Sequence, residues 1–300
     1  MKFIIFKHDR GEKKLGMYSK SMENIIDLGS IKLKGQYKNM KDLIENLKDE
    51  DIEKLKYIYN DSDYPKNSVY DKSNVTIAAP IGKTESDVIC LGLNYIDHVK
   101  ETAKSFKDDS IDIPEHPVYF SKRAVSPIGP GDFIDSHSDI TNQLDYEVEL
   151  AVIIGKEGTN IPKERAENHV FGYTIMNDIS ARDIQQKHVQ WYRGKSLDTF
   201  TSFGPCVVYK DEIKFPVELN LCSRVNGELR QNSNTRNFIF DIPTIINELS
   251  SGMTLRPGDI IATGTPSGVG MGFNPSRFLK KGDIVECEVE NIGTLRNKVI

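Results

Sequence analysis

Residues 144–155, with the sequence LDYEVELAVIIG, constrain the fold of this chain more than any other segment. In a β-strand alternate residues share a face. One face is therefore continuously apolar and consists of Tyr146, Val148, Leu150, Val152 and Ile154. Glu147 and Glu149 point together from the opposite face, beside Ala151 and Ile153. The segment predicts a mostly apolar strand that carries two neighbouring carboxylates.

Two carboxylates side by side on such a strand repel each other and lose hydration, unless a cation or a proton lies between them. The next predicted strand ends at Asp178. If the two strands are neighbours, Asp178 supplies a third oxygen ligand, and an open carboxylate cluster suits Mg²⁺ or Mn²⁺. The alternative is that Glu147 and Glu149 face solvent on a half-buried strand.

Composition excludes several classes of protein. The 300 residues are 38% hydrophobic and 28% charged, which is enough for a large core in one domain or two. The formal charge of −5 comes without a basic block, so we expect no nucleic-acid partner. We find neither a signal-peptide core nor an apolar run of the ~20 residues that a membrane span needs, and we expect a cytosolic protein.

The chain changes in texture near residue 74. Residues 2–6 predict a strand, apolar residues between 43 and 58 recur at helical intervals, and the polar stretch 60–74 resembles a linker. We therefore predict a small N-terminal α/β domain over residues 1–73 and a second domain over 74–300. Short strands dominate the second domain, and they are predicted at residues 88–93, 118–121, 147–154, 170–176, 206–209, 217–225, 259–263 and 284–289.

Few helices are predicted in the second domain. One follows Pro162, another follows Asp178, and a third covers residues 242–249. Many short strands with few helices indicate a β-rich α+β fold. The cysteines, which form no C-x-x-C pair, are expected to be buried free thiols: Cys90, Cys206, Cys222 and Cys287.

Residues 94–103 predict a short helix that begins at an Asn94 cap. His98 and Glu101, three residues apart, share one face, so the carboxylate can orient the imidazole as a general base. A solvated surface pair is the alternative.

Other candidates follow Asp178. Arg182 and Gln185 would lie on one side of a helical turn near the proposed metal, and Lys195 is suited to contact a substrate oxygen. Structural pairing with Asp183 or a Glu residue remains open for Arg182, and Lys195 by itself is one of many lysines. The glycine-rich residues 263–272 offer N–H groups to an anion but lack the Gly-Lys-Ser/Thr of a phosphate loop, so they indicate a carboxylate-binding loop or a simple connector.

Six segments, in this order, resemble the fumarylacetoacetate hydrolase superfamily from about Val75 onward. They are GLNYIDHVKE, FSKRAVSPIGPGD, DYEVELAVIIG, FGYTIMNDISARDIQ, GKSLDTFTSFGP and TGTPSGVG. Fumarylacetoacetase itself has a further aspartate ligand seven residues before its histidine, where this chain has Leu91. The chain is therefore similar to the shorter, three-carboxylate branch.

The resemblance implies a mixed β-strand roll, often preceded by a small N-terminal domain, and a homodimer. It implies that Mg²⁺ or Mn²⁺, or alternatively Ca²⁺, is held by Glu147, Glu149 and Asp178. It further implies a water-activating dyad, His98 with Glu101, and a lysine facing the leaving enolate, Lys195. The positions that match substrate contacts of the family are Arg182, Gln185 and Thr265.

The same resemblance implies chemistry next to the carbonyl of a small acid. The leading expectation is a hydrolase or decarboxylase that cleaves a C–C bond in a 2-oxo acid such as an acylpyruvate, fumarylpyruvate or oxaloacetate. The alternatives are an isomerase, hydratase or lyase acting on 2-hydroxydienoates or sugar-derived acids, and a metal-binding protein without activity.

Overall fold

The computed structural model describes residues 1–9, 11–61, 64–106, 108 and 110–300. Its strands, β1 to β18 in chain order, are Lys2–His8, Lys14–Tyr18, Asn24–Asp27, Val69–Asp71, Val75–Ala78, Val88–Gly92, Val118–Lys122, Phe133–Ile134, Leu144–Asp145, Val148–Ile154, Val170–Asp178, Ser180–Ala181, Thr201–Tyr209, Asn220–Val225, Glu228–Asn234, Ile260–Ala262, Ile284–Val289 and Gly293–Val299. Its α-helices, α1 to α6, are Met40–Asn46, Asp49–Asp61, Ile96–Phe106, Arg182–Lys187, Tyr192–Lys195 and Ile242–Ser250. Short 3₁₀ helices cover Leu28–Ser30, Lys66–Ser68, Lys72–Asn74, Lys163–His169, Lys210–Glu212, Thr235–Asn237 and Gly270–Gly272.

A large mixed sheet positions the candidate site. Its strand order is β4-β3-β2-β1-β13-β11-β10-β16-β6-β7, and β5 also pairs with β1. Strand β10 is central and antiparallel to β11, with Val148 opposite Asn177. A five-stranded sheet of order β15-β14-β17-β18-β8 packs beside it, and β9 and β12 form a two-stranded sheet. The prediction of a β-rich α+β fold is confirmed.

Both faces of β10 are buried. The predicted apolar face, represented by Tyr146 and Leu150, lies in one hydrophobic cluster. Ala151 and Ile153 lie in a second cluster on the other face of the sheet. Glu147 and Glu149 are only 4% and 1% exposed, so a solvent-facing position for them is wrong.

The N-terminal region continues the large sheet. Strand β1 pairs with β13, with Lys2 opposite Val208, and β4 forms within the predicted linker. Residues 62 and 63 of that linker lie outside the described residues. The helical pattern of residues 43–58 is divided between α1 and α2. The division into domains 1–73 and 74–300 stays a prediction.

Two local predictions need correction. The helix expected after Pro162 is a 3₁₀ helix. The helix that carries His98 begins at Ile96, and Asn94 does not cap it. The buried Asn94 amide instead donates to the carbonyl oxygens of Thr263 and Phe240, at 2.8 and 3.1 Å, and its oxygen accepts from Phe240 N–H. Asn94 therefore links its own loop to the loops at Thr263 and Phe240 instead of capping the N-terminus of α3.

Three of the four cysteines, Cys90, Cys206 and Cys287, are buried as expected, while Cys222 is partly exposed, and all four are free thiols. Within the part of the chain that the structure describes, no helix combines the length and apolar character needed to cross a membrane.

Candidate active site

The three predicted carboxylates meet where β10 begins and β11 ends. Glu147 precedes β10, Glu149 is its second residue, and Asp178 is the last residue of β11. Antiparallel pairing brings these ends together, and Asp178 N–H donates to the Glu147 carbonyl oxygen at 2.9 Å. One oxygen from each side chain lies within 4.8 Å of the others, and all three residues are buried. The sequence prediction of a carboxylate cluster is confirmed as geometry.

Three buried cations surround this cluster. Lys195 Nζ lies 2.8 Å from both Glu147 and Asp178. Lys122 Nζ is 2.7 Å from Asp178, and Arg182 Nη1 is 2.6 Å from Glu147. Asp145, also buried, pairs with Arg182, so the described residues place four carboxylates against three cations. One negative charge is therefore in excess.

The excess falls on Glu149. No ion pair to Glu149 occurs in the described ranges, and its carboxylate accepts one hydrogen bond, from Gly264 N–H at 2.9 Å. Burial, with the nearby charges of Asp178 and Glu147, raises the pKa of Glu149 well above its ordinary range. Burial also opposes ionisation of Glu147, but Lys195 and Arg182 outweigh it and lower its pKa to about 2. An all-oxygen cluster with an uncompensated buried carboxylate fits a hard divalent cation.

His98 and Glu101 form the predicted pair on α3. His98 Nδ1 lies 3.1 Å from Glu101 Oε2, and His98 is 6% exposed. The other Glu101 oxygen accepts from Gly268 N–H at 2.9 Å. A Cβ on Gly272 would clash with the carboxylate end of Glu101, so the loop passes close to the pair at this glycine. The glycine-rich segment holds Glu101 in place, and a solvated surface pair is excluded.

The three predicted substrate contacts are also buried. Arg182 Nη1 donates to Gln185 Oε1 at 3.0 Å, and its Nε donates to Asp145 at 2.8 Å. Its Nη2 has no hydrogen-bond partner among the described residues. Thr265 Oγ1 donates to the Val148 carbonyl oxygen at 2.9 Å.

Six of the nine predicted site residues line one narrow cavity: His98, Glu147, Arg182, Gln185, Lys195 and Thr265. The other three touch or adjoin this wall: Glu101, Glu149 and Asp178. Larger clefts exist elsewhere on the chain, but they lack this group of titratable residues.

Sequence reasoning did not assign a role to Asp145, Lys122 or Gln231. Asp145 accepts from Gly270 N–H at 2.6 Å and from Met271 N–H at 3.0 Å, as well as from Arg182. Gln231 donates to Thr265 Oγ1 at 2.8 Å and accepts from Val148 N–H at 3.0 Å. Asp145 and Lys122 lie inside two of the six segments that resemble the family, and this position was the sequence signal that could have identified them as site residues. Gln231 lies on β15, where no pattern marks it.

The mixed β-rich fold thus carries a buried carboxylate cluster and the His98–Glu101 pair at one narrow cavity. The chain belongs to the fumarylacetoacetate hydrolase superfamily: the family model for the fumarylacetoacetate (FAA) hydrolase C-terminal domain matches residues 87–300.

Named relatives agree with this assignment. The chain is 52% identical over 231 residues to the oxaloacetate tautomerase YisK of Bacillus subtilis, covering 77% of this chain and 75% of the relative. A fumarylacetoacetate hydrolase structure from Exiguobacterium antarcticum matches with a TM-score of 0.83 and 39% identity, covering 100% and 99% of the two chains. Maleylpyruvate hydrolase from Sphingobium, in complex with manganese and pyruvate, matches with a TM-score of 0.74 and 27% identity, covering 100% and 99%.

Proposed function

We propose that this chain is a divalent-metal-dependent tautomerase that interconverts the keto and enol forms of oxaloacetate or a closely similar 2-oxo acid. The observation that carries the proposal is the His98–Glu101 pair, because His98 lines the same narrow cavity as Lys195 and Arg182. Tautomerisation moves one proton between C3 and the 2-oxo oxygen. It therefore needs an acid–base group for the proton and positive charge beside the oxygen. The tautomerase name of the 52% identical relative supports this reaction.

The residues that would hold Mg²⁺ or Mn²⁺, or alternatively Ca²⁺, are Glu147, Glu149 and Asp178. A divalent ion bound there supplies Lewis-acid polarisation of the 2-oxo group. The manganese in the maleylpyruvate hydrolase structure supports this cofactor class.

The remaining roles follow from the contacts. His98 takes the C3 proton, and Glu101 orients its imidazole through Nδ1, which leaves Nε2 for the substrate. Lys195 and Arg182 bind the carboxylate and the developing enolate oxygen, because both cations reach the cavity wall from buried positions. Gln185 and Thr265 position the acid beside them.

Cleavage of a C–C bond in an acylpyruvate is the second candidate. The same His98–Glu101 pair can take a proton from water, and a hydrolase shares the fold at 27% identity. Hydrolysis differs from tautomerisation because it also requires a water molecule beside the substrate. Decarboxylation of oxaloacetate and isomerisation of 2-hydroxydienoates would use the same two cations, Lys195 and Arg182. The products of these reactions distinguish them from tautomerisation.

Oxaloacetate in D₂O, followed by NMR with Mg²⁺, Mn²⁺ or EDTA, tests the proposal. We expect metal-dependent exchange of the C3 protons without formation of pyruvate beyond the uncatalysed rate, and no cleavage of acetylpyruvate or fumarylpyruvate. His98→Asn should remove the catalysed exchange, whereas the exposed His188→Asn serves as the matched control. Catalysed cleavage would establish the hydrolase or decarboxylase instead, and exchange that survives EDTA or His98→Asn would overturn the assigned roles.

We also infer a homodimer and the two-domain division after residue 73. The family resemblance supports the homodimer, and the exposed side chains of Phe133 and Ile140 are candidate contacts between two copies. Light scattering measures the mass in solution, and limited proteolysis tests whether cleavage falls near residue 73.

A further inference from the structure

One face of α3 carries four polar residues at helical spacing: His98, Glu101, Thr102 and Ser105. Three of them have partners. His98 and Glu101 bond to each other, Glu101 also accepts from Gly268, and Ser105 Oγ donates to the carbonyl oxygens of Glu101 and Met271. This face is therefore fixed against the glycine-rich loop along its length.

Thr102 is the exception. It is 4% exposed, and its Oγ1 has no hydrogen-bond partner in the ranges that the structure describes. A threonine within a helix ordinarily bonds back to the carbonyl oxygen of residue i−3 or i−4, and a buried hydroxyl without a partner is unfavourable. Thr102 nevertheless lines the cavity that His98, Lys195 and Arg182 also line. A hydroxyl left free in this place is available to a ligand.

The position of Thr102 indicates which part of the ligand it meets. Lys195 and Arg182 lie at the carboxylate cluster, where the 1-carboxylate and the 2-oxo group belong in the proposed function. In the proposed function His98 takes the proton from C3, and Thr102 lies one helical turn, about 5.4 Å, further along α3. A substituent on C3 that extends along the helix reaches Thr102. In a four-carbon dicarboxylic acid that substituent is the distal carboxylate, which accepts hydrogen bonds.

We propose that Thr102 is a specificity-determining residue whose hydroxyl donates a hydrogen bond to the distal carboxylate of a 2-oxo dicarboxylic acid. The inference rests on the proposed function for the orientation of the acid. The unpartnered Nη2 of Arg182, in the same cavity, is a second donor available to the bound acid. The site thus selects dicarboxylic over monocarboxylic 2-oxo acids.

Thr102→Val, which keeps the shape and β-branching, tests this role against Thr102→Ser, which keeps the hydroxyl. The substrates are oxaloacetate and 2-oxobutanoate, which lacks the distal carboxylate, and C3 exchange in D₂O gives kcat and KM for each. We expect Thr102→Val to raise KM for oxaloacetate about tenfold, equal to about 1.4 kcal/mol, with 2-oxobutanoate unchanged. Thr102→Ser should retain the preference.

Two further readouts separate this contact from a structural role and from the proposed function. Without substrate, Thr102→Val should unfold at the same temperature as the parent or higher, because it removes an unpartnered hydroxyl. Calorimetry measures the affinity of the parent and of Thr102→Val for both acids, and it needs no turnover. If no C3 exchange occurs, the proposed function fails, but the contribution of the Thr102 contact to binding is still measured. An unchanged affinity ratio in Thr102→Val would overturn the inference, whatever the unfolding temperature of the variant.

Discussion

Replacing Glu149 with glutamine separates the stability of the fold from occupancy of the candidate metal site. Glu149 carries the unpaired charge of the cluster, and burial raises its pKa. Glutamine keeps an oxygen for the Gly264 N–H and removes the repulsion with Glu147 and Asp178. The metal-free variant should therefore unfold at the parent's temperature or above it, although a buried site residue has been changed.

The effect of metal should disappear in the same variant. A ligand at one hundred times its Kd stabilises the folded state by about 2.7 kcal/mol. For the 300 residues of this chain the entropy of unfolding is about 0.6 kcal/mol/K, so saturation should raise the midpoint by about 4 °C in the parent. Scanning calorimetry with and without Mn²⁺ measures both quantities.

Glu157→Gln is the matched control, since Glu157 is exposed on the loop that follows the same strand, β10. It should keep the full response to Mn²⁺. A Glu149→Gln protein that retains the metal-induced rise would refute the ligand assignment. If the metal-free variant unfolds several degrees below the metal-free parent, the claim that Glu147 and Asp178 repel the Glu149 carboxylate is refuted.

Three other perturbations test the network around the cluster. Asp145→Asn places an amide against two buried N–H donors and should lower stability by about 3–5 kcal/mol, read as a fall of about 5–8 °C in the calorimetric midpoint; an unchanged midpoint would contradict this. Gly272→Ala should displace the flexible end of Glu101 and lower kcat for C3 exchange without unfolding the protein, whereas Gly82→Ala, which meets no atom within 4 Å, should change nothing. Equal rates in both alanine variants would argue against the positioning role of Glu101. Because the pKa of Glu149 is raised, a proton competes with the cation, so Mn²⁺ affinity should weaken as pH falls and binding should release protons. Proton release makes the calorimetric binding enthalpy differ between two buffers of different ionisation enthalpy. Equal binding enthalpies in the two buffers would mean that the site is already ionised before Mn²⁺ binds.

Sequence periodicity predicted the parts of this molecule that local pattern controls. The alternation of Tyr146 to Ile154 fixed the faces of β10, and strand β17 has the predicted bounds of residues 284–289. The adjacency of Asp178 to Glu147 was a conditional prediction, and antiparallel pairing of β10 with β11 fulfils it. Motif order identified the family.

Tertiary contacts explain what pattern missed. Asn94 has the chemistry of a helix cap, but its amide satisfies three backbone groups on the loops at Thr263 and Phe240. Strand β15, with the sequence ELRQNSN, is mostly polar and gave no strand signal, although its pairing with β14 is continuous except at one register shift. The dependence of Glu101 on Gly268 joins residues 167 positions apart, a separation that no local window covers.

That long separation also determines when the site can exist during folding. Lys195 meets Glu147 across 48 residues, Gly264 meets Glu149 across 115, and Gly268 meets Glu101 across 167. Loop closure over such distances is entropically costly and slows folding. A chain that lacks residue 268 cannot form the Gly268–Glu101 hydrogen bond, so we expect the candidate site to be completed after the first collapse of the core.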